Sequence, residues 1–256
     1  MTFASLTRSL LAALLFAQST HGAAAPWTIG TAYNAEDGSV AYRELHYPAP
    51  GYPGLSSRVD YEDAEGAVIV SKQMDFFRSQ TAPAIDQTDL RTSSRFFTRH
   101  EEGRLQIGYQ RDADTALRID TMRLTPNLIV DAGFDPFVRS QWDALSAGRA
   151  VSASFLVPSR LGTITVSIAP VPREECAQVQ GDVLCLMVRP AGMLRVVSWF
   201  VEPLRLAYDL EQQRLLMFRG LSNLLDARGE PQDVLVLFEY DAAHLTALAL
   251  IPPAGE

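Results

Sequence analysis

The chain has 256 residues, 47% of them hydrophobic, and 30 acidic against 22 basic side chains give a formal net charge of −8. An acidic surface repels a polyphosphate and releases no counterions from it, so electrostatically driven nucleic-acid binding is excluded. In chain order, the first element is a leader: Arg8 opens a basic region, Leu10 to Ala17 form an apolar block, and the small residues Gly22 to Ala25 follow. This three-part pattern is that of a secretory signal peptide, with cleavage expected after Ala24. Ala25 to Glu256 then form a single β-rich domain, one charge more acidic because the leader carries one arginine and no acid. The apolar block is far shorter than the roughly 20 residues of a membrane span, and no later run approaches that length, so no transmembrane segment is expected after cleavage. Lys72 is the sole lysine among the basic residues. That bias fits a GC-rich genome, and with export it points to a bacterial periplasm.

Beyond the leader, apolar and polar residues alternate with turn signals every eight to twelve positions, the pattern of a meandering antiparallel sheet. Strands are expected at Trp27 to Asn34, Val40 to Tyr47, Ser57 to Glu62, Ala67 to Phe76, Thr92 to Thr98 and Arg104 to Gln110. Pro48 to Gly54 holds three prolines and two glycines and cannot continue a ladder. Arg78 to Asp89 carry no periodicity. Phe134 to Ser146 then place Phe134, Phe137, Val138, Trp142 and Leu145 near one side at helical spacing, with Gly148 as a stop. Further strands are expected at Val151 to Val157, Thr163 to Ala169, Val183 to Val188, Leu204 to Tyr208, Arg214 to Phe218, Val234 to Tyr240 and Leu245 to Leu250. Met193 to Val201 reads equally as helix or strand. About a dozen strands and one or two helices make a mainly β (α+β) fold. An antiparallel sheet of that size must curl to hide its edges, giving a half-barrel with the helices over its concave face.

Cys176 and Cys185 flank a segment with Gly181-Asp182 near its middle, so a hairpin can bring them opposite each other. An exported chain oxidises its thiols, and no histidine lies between or beside the pair, so a disulfide is expected rather than a metal or redox site.

The common catalytic signatures are missing: the chain has no Gly-x-Ser-x-Gly elbow, His-Glu-x-x-His, phosphate loop, dinucleotide-binding glycine pattern or EF-hand loop. His100-Glu101-Glu102 reads as a solvated hairpin tip. No cofactor and no metal are expected. Alternation puts Val68, Val70, Lys72, Met74 and Phe76 on one strand face, so the lysine points the same way as four apolar side chains. Either it reaches past the sheet edge, or a bulge reverses the phase, or it faces the hollow and pairs with a polar group. On the neighbouring strand Tyr42, Glu44 and His46 share a face, lining the hollow or standing in water. These four are the candidate ligand-binding residues. Asp131 and Asp135 stand four apart as an acid and base pair would, but Asp135 immediately before Pro136 matches a helix N-cap, which is the reading taken.

The segments YEDAEGAVIVSKQMDF (61–76), DAGFDPFVRSQWDAL (131–145), FLVPSRL (155–161) and FRGLSNLLDARGEPQDVLVLFEY (218–240) resemble an uncharacterised family of exported proteobacterial proteins. The resemblance covers most of the mature chain and implies the compartment and the fold, with no chemistry attached. That group is similar in architecture to the half-barrel of periplasmic lipoprotein carriers, an antiparallel sheet closed by helices around an apolar hollow. The leading expectation is therefore a non-enzymatic periplasmic protein that binds a lipid or other apolar ligand. Alternatives are a structural or adaptor protein with an envelope protein as partner, and a hydrolase using carboxylates from distant strands.

Overall fold

The computed structural model describes residues 25–191, 203–226 and 228–241. The leader, the ambiguous stretch 193–201 and the expected strand 245–250 lie outside the described residues.

Among the described residues, fifteen strands form one curled sheet. The first eight are β1 (Thr28–Asn34), β2 (Val40–Pro48), β3 (Ser56–Glu62), β4 (Val68–Asp75), β5 (Ala84–Asp89), β6 (Arg95–Glu101), β7 (Arg104–Gln110) and β8 (Arg118–Arg123). They run as an unbroken antiparallel meander, as the evenly spaced turn signals require. After β9 (Leu128–Ile129), a 3₁₀ turn at Asp131–Gly133 leads into helices α1 (Phe134–Ser140) and α2 (Trp142–Ser146). The second meander comprises β10 (Val151–Val157), β11 (Gly162–Pro170), β12 (Val183–Pro190), β13 (Leu204–Asp209), β14 (Leu215–Leu225) and β15 (Pro231–Tyr240).

The two meanders join through β1 and β15, whose pairing runs from Thr28 opposite Tyr240 to Asn34 opposite Val234. This leaves β8 and β9 as the two edges. Curling brings the β8 edge to the far side of the sheet, where Arg118 on β8 donates to the Ser159 carbonyl beyond β10; separately, the Val130 N–H just past β9 donates to the Thr81 carbonyl before β5. The expected mainly β architecture with a curled sheet is what the chain adopts.

Alternation sorts the side chains onto two faces. On the inner face, Val138 and Leu145 of the helices pack with Ile168, Leu186, Leu206 and Tyr208, while the β1–β7 half contributes a second cluster around Tyr42, Tyr61, Val70 and Ile107. On the outer face, Cys176 and Cys185 form the expected disulfide and pack on Ala207 and Met217. The expected single helix is interrupted at Gln141, whose φ of −106° and ψ of 12° leave the helical region. Its apolar side still faces the sheet, with Phe137, Val138 and Leu145 buried.

Three sequence expectations need correction. Arg78 to Asp89 contain β5, where Ile85 and Asp89 are buried. A short strand paired on both sides needs no long run of alternation, because neighbouring ladders impose its conformation. Asp135 does not cap α1: Gly133 holds the cap position and makes no side-chain cap bond. The 3₁₀ turn moves the helix start upstream and leaves Asp135 inside the first turn. Val68 leaves the inner row and stands exposed, because the β3–β4 register shifts between Tyr61 and Glu62.

Candidate functional site

Between the curled sheet and α1 lies a cavity of about 590 Å³. Its walls are largely apolar, with Val59, Met74, Phe155, Val166, Phe218 and Phe238 among the lining side chains. All four residues singled out from the sequence, Tyr42, Glu44, His46 and Lys72, line it. Strand register explains their convergence: Thr28 on β1 pairs with His46, His46 with Val59 on β3, and Val59 with Lys72. These residues form one inward row.

Lys72 is 3% exposed, and its Nζ lies 2.7 Å from Oδ1 of Asp131. The other Asp131 oxygen accepts from Asn223 Nδ2 at 3.0 Å, and the Tyr61 ring centroid lies 5.3 Å from the ammonium. Burial would neutralise either partner alone, because a desolvated charge is costly. Their mutual attraction overrides it: the Asp131 carboxyl is held below its ordinary value by Lys72 and Asn223, and the Lys72 ammonium is held above its own by Asp131 and Tyr61. The lysine therefore faces the hollow, with its counter-ion supplied by the chain itself. Asp131 reaches it from a left-handed backbone, φ 45°. Two residues on, a Cβ on Gly133 would stand 1.9 Å from the Thr81 carbonyl oxygen, so only glycine allows the turn to approach this closely.

Hairpin β14–β15 closes one end. Gly220 takes φ 138°, and the strand beyond it bends inward, where Ser222 Oγ meets Tyr42 OH at 2.8 Å and Leu225 accepts from Arg91. Burial raises the Tyr42 phenol well above its ordinary value, with Glu44 adding to the shift. Burial does the same to Tyr208, reinforced by Asp135, whose Oδ1 accepts from Tyr208 OH at 2.5 Å.

A second polar line runs along β2 and β3. Glu44 Oε2 lies 2.9 Å from His46 Nε2, Ser56 Oγ lies 3.3 Å from His46 Nδ1, and Trp27 Nε1 donates to Ser56 Oγ at 3.0 Å. All four residues line the cavity. Sequence reasoning missed Ser56, Trp27 and Asn223, and it weighed Asp131 only as a partner for Asp135, whereas the carboxylate pairs with Lys72. Ser56 could have been found from the hairpin, since it returns opposite Pro48; Asp131 and Asn223 lie 92 positions apart and leave no local signal. His100 is not simply solvated at its turn, because its Nε2 donates to the Ala82 carbonyl at 2.8 Å.

No three metal-ligating side chains converge among the described residues, and no described helix is long and apolar enough to cross a membrane. No family model, curated protein or solved structure matches the chain.

Proposed function

We propose that this chain is an exported periplasmic protein that holds the acyl chain of a lipid, or a comparable apolar group, in the hollow of its curled sheet, in the manner of a lipid carrier. The observation that carries the reading is the apolar cavity of about 590 Å³ between sheet and helix. A sheet of this size normally fills its inner face with its own side chains, whereas this volume falls in the range of about 300–1,000 Å³ typical of ligand sites. Each methylene moved from water into such walls contributes about 0.8 kcal/mol, so a dozen supply ~10 kcal/mol. That is enough to offset much of the association cost of ~4–15 kcal/mol. Tyr42, Glu44, His46 and the Lys72–Asp131 pair offer polar contacts that orient a headgroup or a carbonyl.

The test is native mass spectrometry of the protein purified from a periplasm, with lipid extraction of whatever accompanies it. A stoichiometric lipid is the expected result. A clean apo mass would overturn the reading and favour an envelope adaptor.

A further inference from the structure

With His46 neutral, the line Trp27, Ser56, His46, Glu44 has one consistent direction of hydrogen bonding, because the Glu44 carboxylate can only accept. The Trp27 indole N–H only donates, so it fixes Ser56 Oγ as an acceptor. The serine proton is then free to point at His46 Nδ1, 3.3 Å away. With Nδ1 as acceptor, the ring proton sits on Nε2 and points at the Glu44 carboxylate, 2.9 Å away. A hydroxyl, a base on that hydroxyl and a carboxylate orienting the base are the parts of an activated nucleophile. They lie in an apolar wall, with the His46 and Glu44 side chains 19% and 13% exposed, so water only partly screens the relay.

We propose that Ser56 is the nucleophile of an acyl-ester hydrolase whose substrate is an ester of the acyl chain held in the cavity; the substrate class rests on the binding reading above. Ser56 Oγ attacks the ester carbonyl carbon and its proton passes to His46 Nδ1. The bond to the alcohol oxygen breaks, and the departing alcohol takes that proton. Water then attacks the acyl-serine, gives a proton to His46, and the free acid leaves as Ser56 Oγ recovers it. Glu44 is a positioning residue that stabilises the imidazolium, and Trp27 stabilises negative charge developing on Oγ.

The full chain is treated with a fluorophosphonate bearing a long alkyl chain and mapped by peptide mass spectrometry, alongside turnover of p-nitrophenyl esters of increasing chain length. The expected result is one adduct, on Ser56, with faster hydrolysis of long-chain than of acetyl esters. Ser56→Ala should reduce turnover about a hundredfold or more, and Glu44→Gln should lower kcat with little change in KM, because the carboxylate acts only once the imidazole is charged. An unlabelled Ser56, or an adduct elsewhere, overturns the proposal, and because mapping uses the unmodified chain this outcome does not depend on any variant folding. Lipid retained with Ser56 unlabelled leaves the binding reading standing alone. Ser56 labelled with no lipid retained supports the nucleophile and removes the carrier.

Discussion

The sole lysine of the chain ends buried in the cavity wall, 3% exposed and 2.7 Å from Asp131. Breaking a buried pair by removing one partner strands the other charge, which typically costs about 3–5 kcal/mol. Lys72→Met should therefore destabilise by that amount in chemical denaturation, and the double replacement Lys72→Met with Asp131→Leu should recover most of it. The pair also sets a pH window. Asp131 is held low in the folded chain, so its contribution is present above the unfolded carboxylate value near pH 4 and is lost as pH falls below it. Lys72 is held high, so its contribution is complete below the unfolded lysine value near pH 10.5 and is lost as pH rises beyond it. The unmodified protein should lose stability on both sides of this plateau, and Lys72→Met should flatten the Asp131-linked fall on the acid side; denaturant midpoints measured across pH test both.

Among the elements, the Cys176–Cys185 segment is separable from the cavity. The cysteines are nine positions apart and pack on the outer face of β13 and β14. Closing so short a loop stabilises by about 2–3 kcal/mol in the chain-entropy description. Replacing both cysteines with alanine should lower stability by that amount while leaving lipid content unchanged, since the cavity lies on the opposite face; a denaturation curve and a lipid assay on one sample decide it. Elements were legible where one face is buried and the other wet. The strand β4 shows this, with Val70, Lys72 and Met74 buried and Gln73 and Asp75 exposed. They were illegible where neither condition holds: β8 is exposed at five of its six positions, so no alternation betrays it. The 3₁₀ turn at Asp131–Gly133 was hidden for a different reason, because its closeness to Thr81 depends on a tertiary contact that only a missing Cβ permits.

For the whole molecule, the decisive quantity is the unfilled volume between sheet and helix. Val59 pairs with both His46 and Lys72 across β2, β3 and β4 and faces the hollow. Val59→Trp should occupy part of the cavity and reduce co-purifying lipid several-fold. Its stability cost should stay below about 1.5 kcal/mol, or ~5 °C in Tm, because the added ring enters empty space instead of a packed core. Quantitative lipid analysis beside a thermal melt checks both arms. By itself the sequence determined the strand-rich class, the shared face of Tyr42, Glu44 and His46, and the apolar side of the helical segment, because period-two and helical alternation are local consequences of burial. Tertiary structure alone decided that β1 closes against β15, that Asp131 and Asn223 meet Lys72, that Ser56 meets His46, and that the hollow stays open. Those outcomes depend on which distant strands become neighbours and on how their summed side-chain volumes fill the enclosed space, and no local pattern encodes either.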